Sequence, residues 1–393
     1  MNQLTPIQEK ERIKSIDIIR GLAILGIFLV NMAAFNSPVL YIGPDWWTDK
    51  LDLWTKDFIN LSAQASFYTM FSFLFGFGVM IFKERVMEKG FSFPKLYFRR
   101  LFVLLIIGCI HAFLIWHGDI LITYAIIGVI FYLFHKVKPI TLLVWSLVLI
   151  IVPTILMTGL LLLALLFEPS ALTIPYDEKM TEQSVEVYST GTFTEITSQR
   201  FQDWYMVNGP FNFPFMLVTL LPMFLLGALS AKVKWFSKVD ENIKSIKIVW
   251  FITLMIGLPF KLLPYLFDQN LMTEFIQDTI GGPAIAMFYI TSILLLLRKT
   301  LWQSILSPLS YVGRLSLTNY LFQSILCTLL FYSYGLGFYG KVSPFVGLIL
   351  TLVIFSIQII LSKLWLNYYK FGPVEWLWRT LTYGKKQPLK IRE

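Results

Sequence analysis

Residues 99–124 read RRLFVLLIIGCIHAFLIWHGDILITY. Two arginines open the stretch, an apolar run follows, and His111, His117 and Asp119 then fall close together. An apolar run flanked by Arg99 and Arg100 reads as a membrane-spanning helix that begins at the bilayer surface. Lipid offers backbone N–H and C=O groups no water, so such a run is satisfied only as a helix. His117-Gly118-Asp119 is a tight turn, and a second apolar run starts directly after it. The chain has only 3 histidines, and two of them are here. Ionisable side chains at membrane depth are costly, so this hairpin is the first candidate for a functional site.

The rest of the chain has the same character. Of its 393 residues 56% are hydrophobic and 17% aromatic, and mean hydropathy is +0.67. Charged residues are 15%, against roughly 25% in ordinary soluble domains. These values predict an all-α, polytopic transmembrane bundle that forms one membrane domain over 1–393. Barrel strands are excluded, because the apolar runs approach about 20 residues and do not alternate. We place about 10 spans at 16–36, 58–82, 101–117, 119–134, 139–167, 211–231, 248–267, 279–297, 307–333 and 343–364. Of the 33 Lys and Arg residues, all but Lys50, Lys56, Lys179, Arg200, Lys261 and Lys341 fall on the amino-terminal side of this arrangement. The positive-inside rule therefore predicts both termini in the cytoplasm, a long extracytoplasmic loop at 168–208 and a cytoplasmic tail at 365–393. That loop is acidic, and it is long enough to cover an outward-facing site or to be loosely structured. The net charge of +9 follows from this asymmetry, so it implies no nucleic-acid partner. The expected partner is the lipid bilayer. Oligomeric state is not legible.

Cys109 and Cys327 both lie inside apolar runs, so neither a disulfide framework nor a thiolate metal site is indicated. Two histidines and one aspartate are too few for a metal, and none is expected. Gly335, Gly337 and Gly340 fit G-x-G-x-x-G. They follow a membrane helix, however, so the strand-to-helix context of dinucleotide binding is absent.

Several stretches together carry a resemblance: KSIDIIRGLAILGIFLVNM (14–32), FSFLFGFG (71–78), GCIHAFLIWHGDILITYAIIG (108–128), YSTGTFTEITSQR (188–200), GRLSLTNYLFQS (313–324) and FGPVEWLWRTLTYG (371–384). The chain resembles the YeiB-like bacterial membrane proteins, catalogued as domain of unknown function four hundred and eighteen. The resemblance covers essentially the whole chain and implies a multi-pass protein of the bacterial plasma membrane. The family is in turn distantly similar to membrane acyltransferases through D-x-x-R-G and a following Asn, here Asp17, Arg20, Gly21 and Asn31. Those enzymes move an acyl group from a cytosolic acyl-CoA to an acceptor across the membrane. Their catalytic His lies in the loop after the first span, whereas residues 32–60 of this chain contain none.

The residues themselves allow three readings. His111 and Asp119 are eight apart and share a helix face, and the break at Gly118 lets Asp119 fold back towards a ring nitrogen. A histidine oriented by a carboxylate is a competent general base for deprotonating an acceptor hydroxyl, with His117 assisting. The same groups would serve as a proton or substrate site in a transporter, or simply bond helices together. Asp17 and Arg20 pair on one face of the first span, and Asn31 follows at greater depth. Asn319 and Gln323 share a face of the ninth. These five are candidate substrate-binding residues. Arg99, Arg100 and Arg314 are candidates for the phosphates of a donor, although basic residues also sit at that surface for topology alone. The leading expectation is an acyltransferase with acyl-CoA as co-substrate, no bound cofactor, and an envelope glycan or lipid as acceptor. The alternatives are a transporter of a small polar or amphipathic solute and a non-catalytic membrane protein.

Overall fold

A computed structural model describes residues 13–391. Lys10 and Arg12 at the amino terminus and the last two residues of the expected tail lie outside the described residues. The chain is all-α. Its first half comprises α1 (Lys14–Asn36), α2 (Lys50–Ser62), α3 (Ser66–Glu88), α4 (Phe93–Ile110), α5 (Leu121–Phe131), α6 (Pro139–Phe167), α7 (Glu178–Thr190) and α8 (Phe193–Asn208). The second half comprises α9 (Phe213–Lys232), α10 (Ile243–Leu266), α11 (Leu271–Ile276), α12 (Gly282–Leu296), α13 (Thr300–Leu306), α14 (Leu309–Arg314), α15 (Ser316–Phe331), α16 (Pro344–Tyr368) and α17 (Pro373–Tyr383). Eight helical segments among the described residues are long and apolar enough to cross a bilayer, and α5 and α15 are shorter apolar helices.

α6 shows what solvent surrounds the bundle. Its apolar window has a mean hydropathy of 2.7, yet only 6% of it is buried. Ile155, Leu160 and Leu166 are exposed. A helix that is apolar all round and so little buried is stable only if lipid covers it. This is a membrane protein.

The inner core joins α1, α3, α4, α5, α9, α12 and α15, with Phe73, Phe77, Leu104, Phe131, Phe224 and Ile290 buried at its centre. α3 and α9 are pressed backbone to backbone. A Cβ at Gly227 would lie 1.9 Å from the Phe73 carbonyl oxygen, and one at Gly76 would lie 2.0 Å from that of Phe224. Small residues at facing positions allow this approach, which gives membrane helices their van der Waals contact.

The structure corrects three span boundaries and shows the content of the 168–208 segment. The second span begins at Ser66, not 58, because the chain kinks at Ala65, where φ is 56°, and 50–62 forms the separate α2. The ninth is broken into α14 and α15 at Leu315. The third ends in a wide turn, described below. The stretch 168–208 is largely helical. Asp177 starts α7 by accepting from Met180 N at 2.9 Å. Thr192 and Glu195 form a capping box at the start of α8. Caps of this kind satisfy the free N–H groups of a first turn. Both helices bury one face, with Tyr188, Ile196, Gln199, Arg200 and Asp203 inward.

The expected tail is also built in. Glu375 on α17 accepts from Leu317 N (2.7 Å) and Thr318 N (3.1 Å), placing a carboxylate on the amino terminus of α15. Trp378 Nε1 donates to the Arg100 carbonyl at 3.0 Å.

Candidate functional site

The site begins where α4 ends. His111–Ile115 form one π-helical turn, in which Trp116 N donates to the His111 carbonyl, five residues back, at 2.8 Å. Single π turns are frequent at functional sites. Arg200, fully buried on α8, donates Nη1 to the carbonyl of Phe113 in this turn at 2.9 Å. The chain then reverses at His117-Gly118-Asp119. Gly118 is required there, since a Cβ would meet the Trp116 ring at 2.1 Å.

This geometry folds Asp119 back onto His111. Asp119 Oδ1 lies 2.7 Å from His111 Nδ1. The other carboxylate oxygen accepts from Ile122 N at 2.8 Å, capping the start of α5. The second imidazole nitrogen, Nε2, lies 2.8 Å from Ser324 Oγ in the middle of α15. Carboxylate, imidazole and hydroxyl thus form one line, and all three residues are buried. Tyr320 holds the arrangement by donating to the Gly118 carbonyl at 3.0 Å, with its ring centre 5.0 Å from that of His111.

His117 points into a second cluster, roofed by α7 and α8. Asp203 accepts from Tyr41 (2.7 Å), Tyr188 (2.6 Å) and Gln199 Nε2 (2.8 Å). It lies 3.7 Å from His117 Nδ1. Burial and the Asp203 charge push both phenols far above the ordinary tyrosine range, so they remain donors. Burial lowers the His117 pKa below its ordinary value, outweighing the opposing pull of Asp203, and Arg200 and His111 lower it further. A histidine with a lowered folded-state pKa binds fewer protons than in the unfolded chain just below pH ~6.5, so stability falls as pH falls through that range. We expect thermal unfolding in detergent to show this acid loss, and His117→Gln to flatten it. An unchanged pH profile in the variant would contradict a neutral buried His117.

The other expected residues divide into two groups. Asn319 and Gln323 bond α15 to α16: Asn319 Nδ2 donates to Ser362 at 3.0 Å and Gln323 Nε2 to Gln358 at 2.9 Å. They lie beside the His111 line without touching it, and they fix the helix that carries Ser324. Asn31 is half-buried on α1 and makes no side-chain hydrogen bond among the described residues. At the amino-terminal end of α1, Asp17 and Arg20 pair at 3.5 Å. Arg314 closes α14 nearby, one residue after a glycine packed on the Asp17 carbonyl. Arg100 lies over the rings of Trp378 (4.0 Å) and Phe82 (5.1 Å), and Arg99 packs at Gly384 beyond α17. The same end of the molecule opens into a cavity of about 830 Å³ whose basic lining is Lys14, Arg298 and Lys299. The residues that sequence reasoning missed are Ser324, Asp203, Tyr41, Tyr188 and Arg200.

A further buried cluster lies between α10 and a second π turn, Gln277–Gly281. Lys261 donates to the carbonyls of Asn60 and Gln64. Gln64 Nε2 donates to Asp278 at 3.2 Å, and Gln277 Nε2 to the Lys261 carbonyl at 2.8 Å.

Comparison with known proteins adds the family. The family model described as "Protein of unknown function (DUF418)" matches residues 230–385. The uncharacterized protein YxaH of Bacillus subtilis (strain 168) is 38% identical, covering 99% of this chain and 98% of its own length. An uncharacterized 39.9 kDa protein in the amylase 3′ region of Bacillus acidopullulyticus is 30% identical, with 99% of both chains covered. The uncharacterized protein YeiB of Escherichia coli (strain K12) is 27% identical over 96% of this chain and 98% of its own. Matched along its whole length by such relatives, and by the family's model from α9 to α17, the chain belongs to the DUF418 family.

Proposed function

We propose that this protein is a membrane-bound acyltransferase. It moves an acyl group from a cytosolic acyl-CoA-type donor to an envelope glycan or lipid acceptor on the far side of the bacterial plasma membrane. The observation that carries this reading is the buried Asp119–His111–Ser324 line, with contacts of 2.7 and 2.8 Å. A histidine held by a carboxylate on one nitrogen and facing a hydroxyl with the other is an acyl-transfer device. His111 and Ser324 are 1% and 0% exposed, and excluding water favours transfer to an acceptor over hydrolysis.

Both termini lie on the cytosolic side in this reading. The donor's phosphates approach the basic end, where Lys14, Arg298 and Lys299 line the open cavity and Asp240 pairs with Arg298. α7 and α8 roof the opposite, extracytoplasmic end, where the acceptor enters. His111 acts as general base, Asp119 sets its tautomer, and His117 lies one turn nearer the acceptor side.

The test is release of free CoA from acetyl-, octanoyl- and palmitoyl-CoA by the purified full-length protein in lipid nanodiscs, with a bacterial envelope extract of glycans and lipids added as acceptor. Turnover of at least one donor is expected, and its loss in His111→Ala. If no acyl-CoA binds or turns over, acyl transfer is wrong.

A further inference from the structure

We propose that Ser324 carries the acyl group covalently, so that transfer runs through an acyl-enzyme in the middle of the membrane. This rests on the acyl-transfer reading and names the step that joins donor to acceptor.

Both nitrogens of the imidazole are occupied. Asp119 takes Nδ1 at 2.7 Å, and a carboxylate only accepts, so Nδ1 carries the proton. Nε2 is then the basic nitrogen, and Ser324 Oγ occupies it at 2.8 Å. No ring nitrogen is left for an acceptor hydroxyl. Direct attack by the acceptor would first have to displace Ser324, whereas Ser324 is already the hydroxyl poised to lose its proton.

Ser324 also differs from other hydroxyl residues in the bundle. Hydroxyl residues in membrane helices usually bond back to the carbonyl four residues earlier. In this protein Ser72 does so at 2.8 Å, Thr219 at 2.8 Å, Thr291 at 2.8 Å and Thr351 at 2.9 Å. Ser324 lies 3.4 Å from the Tyr320 carbonyl. It keeps only that long bond to its own helix, and its shorter contact, 2.8 Å, is to the imidazole.

Ser324 lies eight residues from one end of α15 and seven from the other, about 10–12 Å of helix rise each way. A donor arriving from the basic end and an acceptor arriving under α7 and α8 need not meet. Each visits the same serine in turn.

The chemistry balances. Ser324 Oγ gives its proton to His111 Nε2 and attacks the thioester carbonyl. The C–S bond breaks, and the leaving sulfur takes the proton from Nε2, giving free thiol and a seryl ester. In the second step the acceptor hydroxyl gives its proton to Nε2 and its oxygen attacks the ester carbonyl. The C–Oγ bond breaks, and the proton returns to Ser324. Each step passes through an oxyanion that needs a donor. Trp116 supplies a buried indole N–H that has no acceptor among the described residues, on a ring centred 6.2 Å from that of His111.

The experiment incubates full-length protein in phosphatidylcholine nanodiscs, whose lipids carry no free hydroxyl, with radiolabelled acyl-CoA and no acceptor. We expect a burst of CoA equal to the protein present, with the label recovered by mass spectrometry as an ester on Ser324. Ser324→Ala should lose the label and at least about 10³-fold of the release rate. Ser324→Cys should keep a label that neutral hydroxylamine now removes, as it does a thioester. Acyl-CoA turnover that continues in Ser324→Ala, with no label in wild type, would overturn the acyl-enzyme and leave acyl transfer standing. Absence of any acyl-CoA binding or turnover in wild type would overturn both.

Discussion

Asp119→Asn should reduce acyl-CoA turnover by about 10³–10⁴-fold while leaving the fold essentially unchanged. The amide oxygen can still accept from Ile122 N, where Asp119 Oδ2 now accepts at 2.8 Å, so the start of α5 keeps its cap. The amide NH₂ then faces His111 Nδ1 and must donate to it. That reverses the tautomer: Nδ1 becomes the acceptor and Nε2 carries the proton. A protonated Nε2 cannot take the Ser324 proton, although every heavy atom stays in place. His111→Ala removes the base outright and should cost a similar factor. The measurement pairs CoA release with thermal unfolding of the same samples. Lost turnover at an unchanged melting temperature separates a catalytic role from a structural one. Wild-type turnover in Asp119→Asn would reduce the His111–Asp119 pair to a helix-to-helix contact.

Parts of this site were legible in the sequence because they are encoded locally. The apolar runs follow from bilayer thickness, and the His111–Asp119 pairing follows from the glycine at the turn; a shared helix face does not produce it, because the helical segment ends at Ile115. α8 was legible in principle too, since Thr192 and Glu195 have the spacing of a capping box, but the polar composition of 168–208 suggested a loop. Ser324 could not be picked out. A serine in an apolar helix ordinarily bonds its own backbone, and only tertiary packing turns this one towards His111. Asp203 was one of several acids in an acidic stretch, and its three donors come from residues as distant as Tyr41. The π turn arises from contacts that no local pattern carries, among them the Arg200 bond to Phe113. One signal was available and unused. Arg200 and Lys261 are two of the six basic residues on the wrong side of the charge asymmetry, and both are almost fully buried against backbone carbonyls. Exceptions to a topological rule are where a cation is held for another reason.

The largest stability effect should come from Asp203→Ala. Its carboxylate accepts from Tyr41, Tyr188 and Gln199 within 2.6–2.8 Å, and Tyr41, Tyr188 and Gln199 are all buried. Alanine leaves these donors facing apolar surroundings without an acceptor. Each orphaned group costs about 1–3 kcal/mol, and because the groups share one network the sum is not additive. A net loss of about 3–5 kcal/mol is expected, as for removing one partner from a buried charged network. The loss is local, because Asp203 ties α7 and α8 to the loop after α1 and to the His117 turn. Unfolding should therefore begin at 168–208, seen as faster proteolysis within that stretch at temperatures where the membrane helices remain intact. Asp203→Asn keeps a carbonyl oxygen for two of the donors and should fall between wild type and alanine. A roof that opens admits water to the His111 line, and an acyl group on Ser324 then hydrolyses. In Asp203→Ala the single burst of CoA release without acceptor should give way to continuous release, whereas wild type stops after one turnover. An alanine variant that melts and digests like wild type would mean that Asp203 does not hold the roof.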